Sequence, residues 1–228
     1  MLSSRNLWLF LGVVVLMQFG YPITLWGRVP TMIYTAGYAG MIYFGLNLVR
    51  DEKVRLVPFV VLAGLTTLGG GWFSLDQSSR LALAAMLASV GLFQLALLTS
   101  TFRFLVRPRA GTTVSQLILL AVSAYLLLGG VFAVAGNLLE TSAPGSFVDN
   151  GAPDRPLVWQ GMLYASYVTL STLGYGDILP VNPWARSLAS LEAVTGTLFL
   201  AIVIARLVGA YSSDDAQAAD HDPGRQPA

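Results

Sequence analysis

The residues of this chain best suited to chemistry stand together as Val168-Thr169-Leu170-Ser171-Thr172-Leu173-Gly174-Tyr175-Gly176-Asp177. Their chemistry is that of oxygen donors. A chain whose successive carbonyls all face one way must visit positive φ, which Gly174 and Gly176 allow at little steric cost. A row of such carbonyls, extended by the Thr172 hydroxyl, can replace the water shell of a cation. A lone Gly-x-Gly is equally an ordinary glycine turn. The setting separates the two readings: an apolar, helix-like run precedes the string (157–167) and a second, membrane-length one follows it (187–211).

The full string resembles the pore helix and selectivity filter of tetrameric potassium channels, whose pattern is Thr-x-Thr-(Val/Ile)-Gly-Tyr-Gly-Asp. The resemblance covers residues 111–211. It implies an outer helix at 114–138, a pore helix running to the filter, and a pore-lining inner helix from Trp184 to Tyr211. It further implies that Thr172, Leu173, Gly174 and Tyr175 bind K+ through backbone carbonyls, with Gly176 completing the ion-binding stretch. Asp177, Thr169, Ser171, Tyr164 and Glu192 are expected to support the filter, Glu192 from behind the pore helix, and Gly196 is expected to be the gating hinge. One copy of the motif builds one wall of a cage, so the resemblance implies a homotetramer. Two residues depart from the family pattern: Leu173 stands where Val is usual, and Ala165 replaces the second of two tryptophans. Only Tyr164 keeps a ring there, which leaves Asp177 and Tyr175 with fewer braces.

The function implied is passive, potassium-selective conduction with no reaction catalysed. The alternatives are a non-selective cation channel and a silent or modulatory channel subunit. Tyr175 argues against the first, because non-selective relatives often carry a shorter residue there. No nucleophile–base pair, metal cluster or phosphate loop suggests an enzyme, and no cofactor is expected.

The elements that must position the string are membrane elements. Of 228 residues, 55% are hydrophobic and 11% charged, and the mean hydropathy is +0.66; soluble domains average about a quarter charged residues. The net charge of +1 gives no reason to expect nucleic acid. With no cysteine, disulfides and thiolate chemistry are excluded. A span needs about 20 apolar residues, and runs of that kind fall at 7–25, 31–49, 56–75, 81–105, 114–138 and 187–211. The first is read as a retained helix rather than a signal peptide, since no small-x-small site follows it. The shorter run at 157–170 reads as re-entrant. The fold expected is an all-α membrane protein with six transmembrane helices, a re-entrant pore helix and a filter loop. Its expected divisions are a peripheral four-helix module at 1–110, a pore domain at 111–211 and a disordered cytoplasmic tail at 212–228.

Charge orients the chain in a cell membrane. With the N-terminus inside, the inner segments carry Arg5, Arg50, Lys53, Arg55, Arg103, Arg107, Arg109, Arg206 and Arg225. The outer ones carry only Arg28, Arg80, Arg155 and Arg186. That excess obeys the positive-inside rule, placing the filter loop outside and both termini in the cytoplasm. The fourth span lacks the arginine at every third position that voltage sensing requires, and Arg206 is expected to snorkel to the inner surface. Mid-span Gln94 is expected to hydrogen-bond between helices. The outer loop's Glu140, Asp149 and Asp154 suggest either an acidic rim or a solvated loop. No regulatory domain is expected after the inner helix, and the lone histidine, His221, has no assigned role.

Overall fold

The computed structural model describes residues 4–50, 56–108 and 111–220. In chain order its elements are α1 (Ser4–Phe19), a 3₁₀ turn (Tyr21–Trp26), α2 (Arg28–Arg50), α3 (Leu56–Leu75) and α4 (Arg80–Val106). There follow α5 (Val114–Ser142), β1 (Phe147–Asp149), α6 (Trp159–Leu170), β2 (Ile178–Pro180) and α7 (Pro183–Asp220). Lys53, Arg55, Arg109, His221 and Arg225 lie outside the described residues.

The helix starts follow local chemistry. Ser79 caps α4 by accepting from the Ala82 amide at 3.2 Å. Thr113 and Gln116 close a reciprocal box at the start of α5. Asn182 caps α7, its Oδ1 accepting from the Ala185 amide at 2.8 Å, with Pro183 in the first helical position as its missing N–H favours.

Among the described residues, four helices are long and apolar enough to cross a membrane: α3, α4, α5 and the Pro183–Gly209 part of α7. The other two expected spans differ. The run at 7–25 is divided, because α1 stops at Phe19 and the chain continues through Gly20 and Pro22 as a 3₁₀ turn. Sixteen residues of α1 extend roughly 24 Å at about 1.5 Å per residue. α2 has the length, 23 residues, but threonines, glycines and tyrosines dilute its apolar character. The tail differs too: α7 continues to Asp220 where disorder was expected from Ser212. Its alanines and glutamine favour helix locally, which outweighs the polar composition.

α5 is the central helix, packed against α1, α4, α6 and α7. Its glycines let α6 approach closely. A Cβ at Gly129 would stand 2.5 Å from Cε1 of Tyr167, and one at Gly136 would stand 2.7 Å from the Met162 sulfur. Tyr167 is anchored there by donating to the Leu126 carbonyl at 2.6 Å and by packing on Phe19 of α1, ring centroids 4.9 Å apart. Gly129→Ala is therefore expected to destabilise the protein by about 1–3 kcal/mol through overpacking, reduced by about 1 kcal/mol of helix propensity. A clear fall in the midpoint of thermal unfolding is the expected result; an unchanged midpoint contradicts this packing.

At the opposite end of the bundle, Arg206 does more than snorkel. Its Nη2 donates to the Val106 carbonyl at 3.1 Å and its Nε reaches the Leu105 carbonyl at 3.5 Å. These belong to the last turn of α4, whose carbonyls lack helical partners. Arg206 thus ties α7 to the C-terminal end of α4.

The two strands were not foreseen. β1 and β2 pair antiparallel, with Val148 opposite Leu179. They join the loop before α6 to the segment after the glycine string, and Asn182 Nδ2 reinforces the join by donating to Ser146 Oγ at 2.5 Å.

Candidate ion-coordinating loop

α6 enters between α5 and α7 and ends at the glycine string. It begins at Trp159, three residues after Pro156. From its C-terminal end the backbone turns back on itself. The amides of Thr172, Leu173 and Gly174 donate to the carbonyls of Thr169 (2.9 Å), Val168 (2.9 Å) and Val168 (3.3 Å). In a trans peptide the carbonyl of one residue opposes the amide of the next, and no peptide bond here is cis. Amides at 173 and 174 that face the helix therefore send the carbonyls of Thr172 and Leu173 the other way.

The dihedral angles carry the same pattern upward. φ is positive at every second residue, +60° at Thr172, +58° at Gly174 and +76° at Gly176. Thr172 is the only non-glycine at positive φ among the described residues, a conformation that costs an L-residue about 1–2 kcal/mol. The hydrogen bonds to Thr169 and Val168 hold it there. No hydrogen bond among the described residues reaches the carbonyls of Thr172, Leu173, Gly174 or Tyr175. Gly176 differs: its carbonyl accepts from Asn150 Nδ2 at 3.2 Å, so the row of free carbonyls ends at Tyr175.

The loop is uncovered on its free side. Leu173 is 54% exposed and Tyr175 66% exposed, so Leu173 does not pack behind the loop within one chain. Polar backbone of this kind is not stable against lipid; it requires other protein, or water, on that side.

The side chains behind the loop hold its shape. Tyr164 donates to Asp177 Oδ2 at 2.6 Å, and the other carboxylate oxygen accepts from the Ile178 amide at 2.9 Å. Asn150 also reaches this corner, its amide donating to the Asp177 carbonyl at 2.7 Å. Tyr164 thus supplies a brace that the missing second ring seemed to remove. Ser171 Oγ folds back onto the Tyr167 carbonyl at 2.7 Å, a cap on the helix end. Thr169 contributes its carbonyl to the Thr172 amide. Glu192 is 5% exposed and lies behind α6, where the Ser166 hydroxyl bridges it and the Gly129 carbonyl, the latter at 2.7 Å. Gly196 sits in an unbroken stretch of α7, where a Cβ would overlap the Leu170 carbonyl and approach Leu170 Cδ1 to 2.9 Å. In this conformation Gly196 serves close packing of α7 on the end of α6. The Leu170 carbonyl also accepts from the Tyr125 hydroxyl at 3.2 Å.

Asn150, Ser166, Tyr125 and Tyr167 carry much of this support and escaped sequence reasoning. Ser166 and Tyr167 were within reach, since they share α6 with Tyr164. Asn150 and Tyr125 meet the loop only through the fold. The loop before α6 engages its own acids: Glu140 spends both oxygens on the amides of Gly145 and Phe147, at 2.8 and 2.9 Å. Asp149 accepts from Gly151 at 2.8 Å.

The Tyr164 hydrogen bond holds the Asp177 carboxyl below its ordinary value of 3.8. A carboxyl lowered in the folded state contributes stability above that ordinary value and loses it as pH falls through the lowered one. Tyr164→Phe is expected to move the Asp177 midpoint upward toward 3.8 and to flatten this acid dependence, because the stability that Asp177 contributes above its ordinary value shrinks with the shift. An NMR titration of Asp177 in both proteins tests this; an unchanged midpoint contradicts the brace.

Residues 117–213 match the family model described as ion channel. The matched part of the chain is similar to ion-channel domains. It runs from the second turn of α5 through α6 and the glycine string into α7, so the motif lies inside the matched region. Similar stretches occur in the inward rectifier potassium channel Kirbac3.1 of Paramagnetospirillum magnetotacticum, at 31% identity over 42% of this chain and 30% of that protein. They also occur in the two pore potassium channel c of Oryza sativa subsp. japonica, at 34% identity over 37% of this chain and 17% of that protein. Protein LctB of Bacillus caldotenax is 32% identical over 34% of this chain and 54% of its own length. The chain thus spans between about a sixth and about half of the relatives it matches. No solved structure matches the chain.

Proposed function

We propose that the chain is the subunit of a potassium-selective channel in which four copies place their glycine strings around one axis. The observation that carries this reading is the alternation of positive φ at Thr172, Gly174 and Gly176, with the amides before them turned onto α6. That backbone offers four successive carbonyls, from Thr172 to Tyr175, to a dehydrated cation. The Thr172 hydroxyl adds a donor at the inner end. K+ is the ion named by the relatives, and no cofactor is called for.

Four copies follow from the uncovered loop. One string makes one wall, and three more walls would hide the exposed backbone while completing each ring of oxygens. The apolar side chains that α7 leaves exposed, among them Leu191, Val194, Leu198 and Ile202, suit contact with neighbouring copies and with the pore. In this reading α1 and α2 cross the membrane as well, giving six spans with both termini in the cytoplasm and the α1–α4 module at the periphery. α6 directs the negative end of its dipole toward the axis, which favours a cation there. α7 is the pore-lining helix, and bending at Gly196 would draw it off the Leu170 carbonyl, coupling the gate to the filter. The assembly is tested by the native mass of the full chain in lipid nanodiscs. Four copies are expected; a conducting monomer or dimer overturns the arrangement.

A further inference from the structure

A cavity of about 50 Å³ lies among helices α1 to α5, where they meet the first turns of α6. No lining residue is charged. Two side chains in it are out of place by ordinary rules. Gln18 and Gln94 are each 1% exposed, yet Gln18 Nε2 and Gln94 Oε1 have no hydrogen-bond partner. Other polar groups on the lining are occupied: the Tyr34 hydroxyl donates to the Met17 carbonyl, Thr66 to the carbonyls of Leu62 and Ser89, and Asn137 Nδ2 to that of Ala133. A buried amide group left unpartnered is costly, the more so at membrane depth. Both carboxamides converge on Gly130, where a Cβ would overlap Gln94 Oε1 and stand 2.6 Å from Gln18 Nε2. Gly130 is therefore the residue that keeps room between them.

We propose that this cavity binds a small neutral molecule through a hydroxyl group that accepts from Gln18 Nε2 and donates to Gln94 Oε1. The free donor and the free acceptor face one space, and a hydroxyl satisfies both with a single oxygen. Neutrality follows from the uncharged lining, and size from the volume. A space of this size holds roughly three or four waters, or one alcohol of two or three carbons set against Phe73, Val90 and Val134. Trp159 and Leu163 of α6 complete the wall, so the occupant touches the helix that carries the filter. The site stands independently of which ion the loop passes.

Crystals of the full chain grown in lipid, with and without 2-bromoethanol, test the proposal. A density peak within hydrogen-bond reach of both Gln18 Nε2 and Gln94 Oε1 is expected. An anomalous bromine signal beside that peak after soaking identifies an alcohol site. The same peak without bromine identifies water as the hydroxyl source. Two carboxamides bonded directly to each other, with no density between, overturn the proposal. So does an unchanged peak in Gln94→Leu, which offers no acceptor; Gln18→Leu serves the same purpose if that variant does not fold.

Discussion

Gly174→Ala and Gly176→Ala are each expected to abolish selective potassium flux while leaving the assembled protein in the membrane. Both glycines hold positive φ, +58° and +76°, and a Cβ there costs about 1–2 kcal/mol. Space is not the obstacle, since neither added Cβ would meet another atom of the chain within 4 Å. The backbone is. In a tetramer the strain recurs in every copy around one axis, about 4–8 kcal/mol in all on the same per-residue cost. Relaxing it rotates peptide planes and takes carbonyls off the ion path. Flux in liposomes, together with native mass, separates loss of conduction from loss of assembly. Retained potassium selectivity in either variant contradicts the role of the string.

The second large effect concerns the support behind α6. Ser166 links the buried Glu192 carboxyl to the Gly129 carbonyl. Ser166→Ala strands the Glu192 carboxyl away from water, while the Gly129 carbonyl keeps its place in the α5 ladder; an unsatisfied buried polar group costs about 1–3 kcal/mol. A destabilisation of about 1–3 kcal/mol is therefore expected, along with faster loss of conduction as α6 loosens. Glu192→Leu added to Ser166→Ala removes the stranded group, so the double variant is expected to recover part of the loss. A double-mutant cycle on thermal or denaturant midpoints reads the coupling directly. Additive effects contradict the link.

The string at 168–177 was legible because its constraint is local: residue types alone dictate where positive φ is cheap. Even so, sequence placed the strained position at the glycines and missed Thr172, whose φ is imposed by the amides of residues 172–174 folding onto α6. Long apolar runs located α3, α4 and α5 to within a few residues at their ends, whereas α7 runs nine residues past its expected end at Tyr211. The break after Phe19 was visible in Gly20 and Pro22, but hydropathy averages over such a turn. The β1–β2 pairing could not be read, since strands of three residues leave no alternation to detect. Glu192 was recognisable as a lone acid in an apolar helix; its partner Ser166 lay within reach on α6, but a serine there does not tell what it faces. Gln94 was expected to bond between helices; its side chain does so to Tyr38 of α2, while its oxygen remains unpartnered beside Gly130 of α5. Contacts across the fold, rather than spacing along the chain, decide such cases.

The most direct test of the central claim is ion flux through the purified full chain in liposomes, comparing potassium with sodium gradients. Potassium flux that barium blocks, with sodium flux far smaller, is the predicted result. Equal permeability to the two ions, or no flux from an intact tetramer under every gating condition tried, contradicts it.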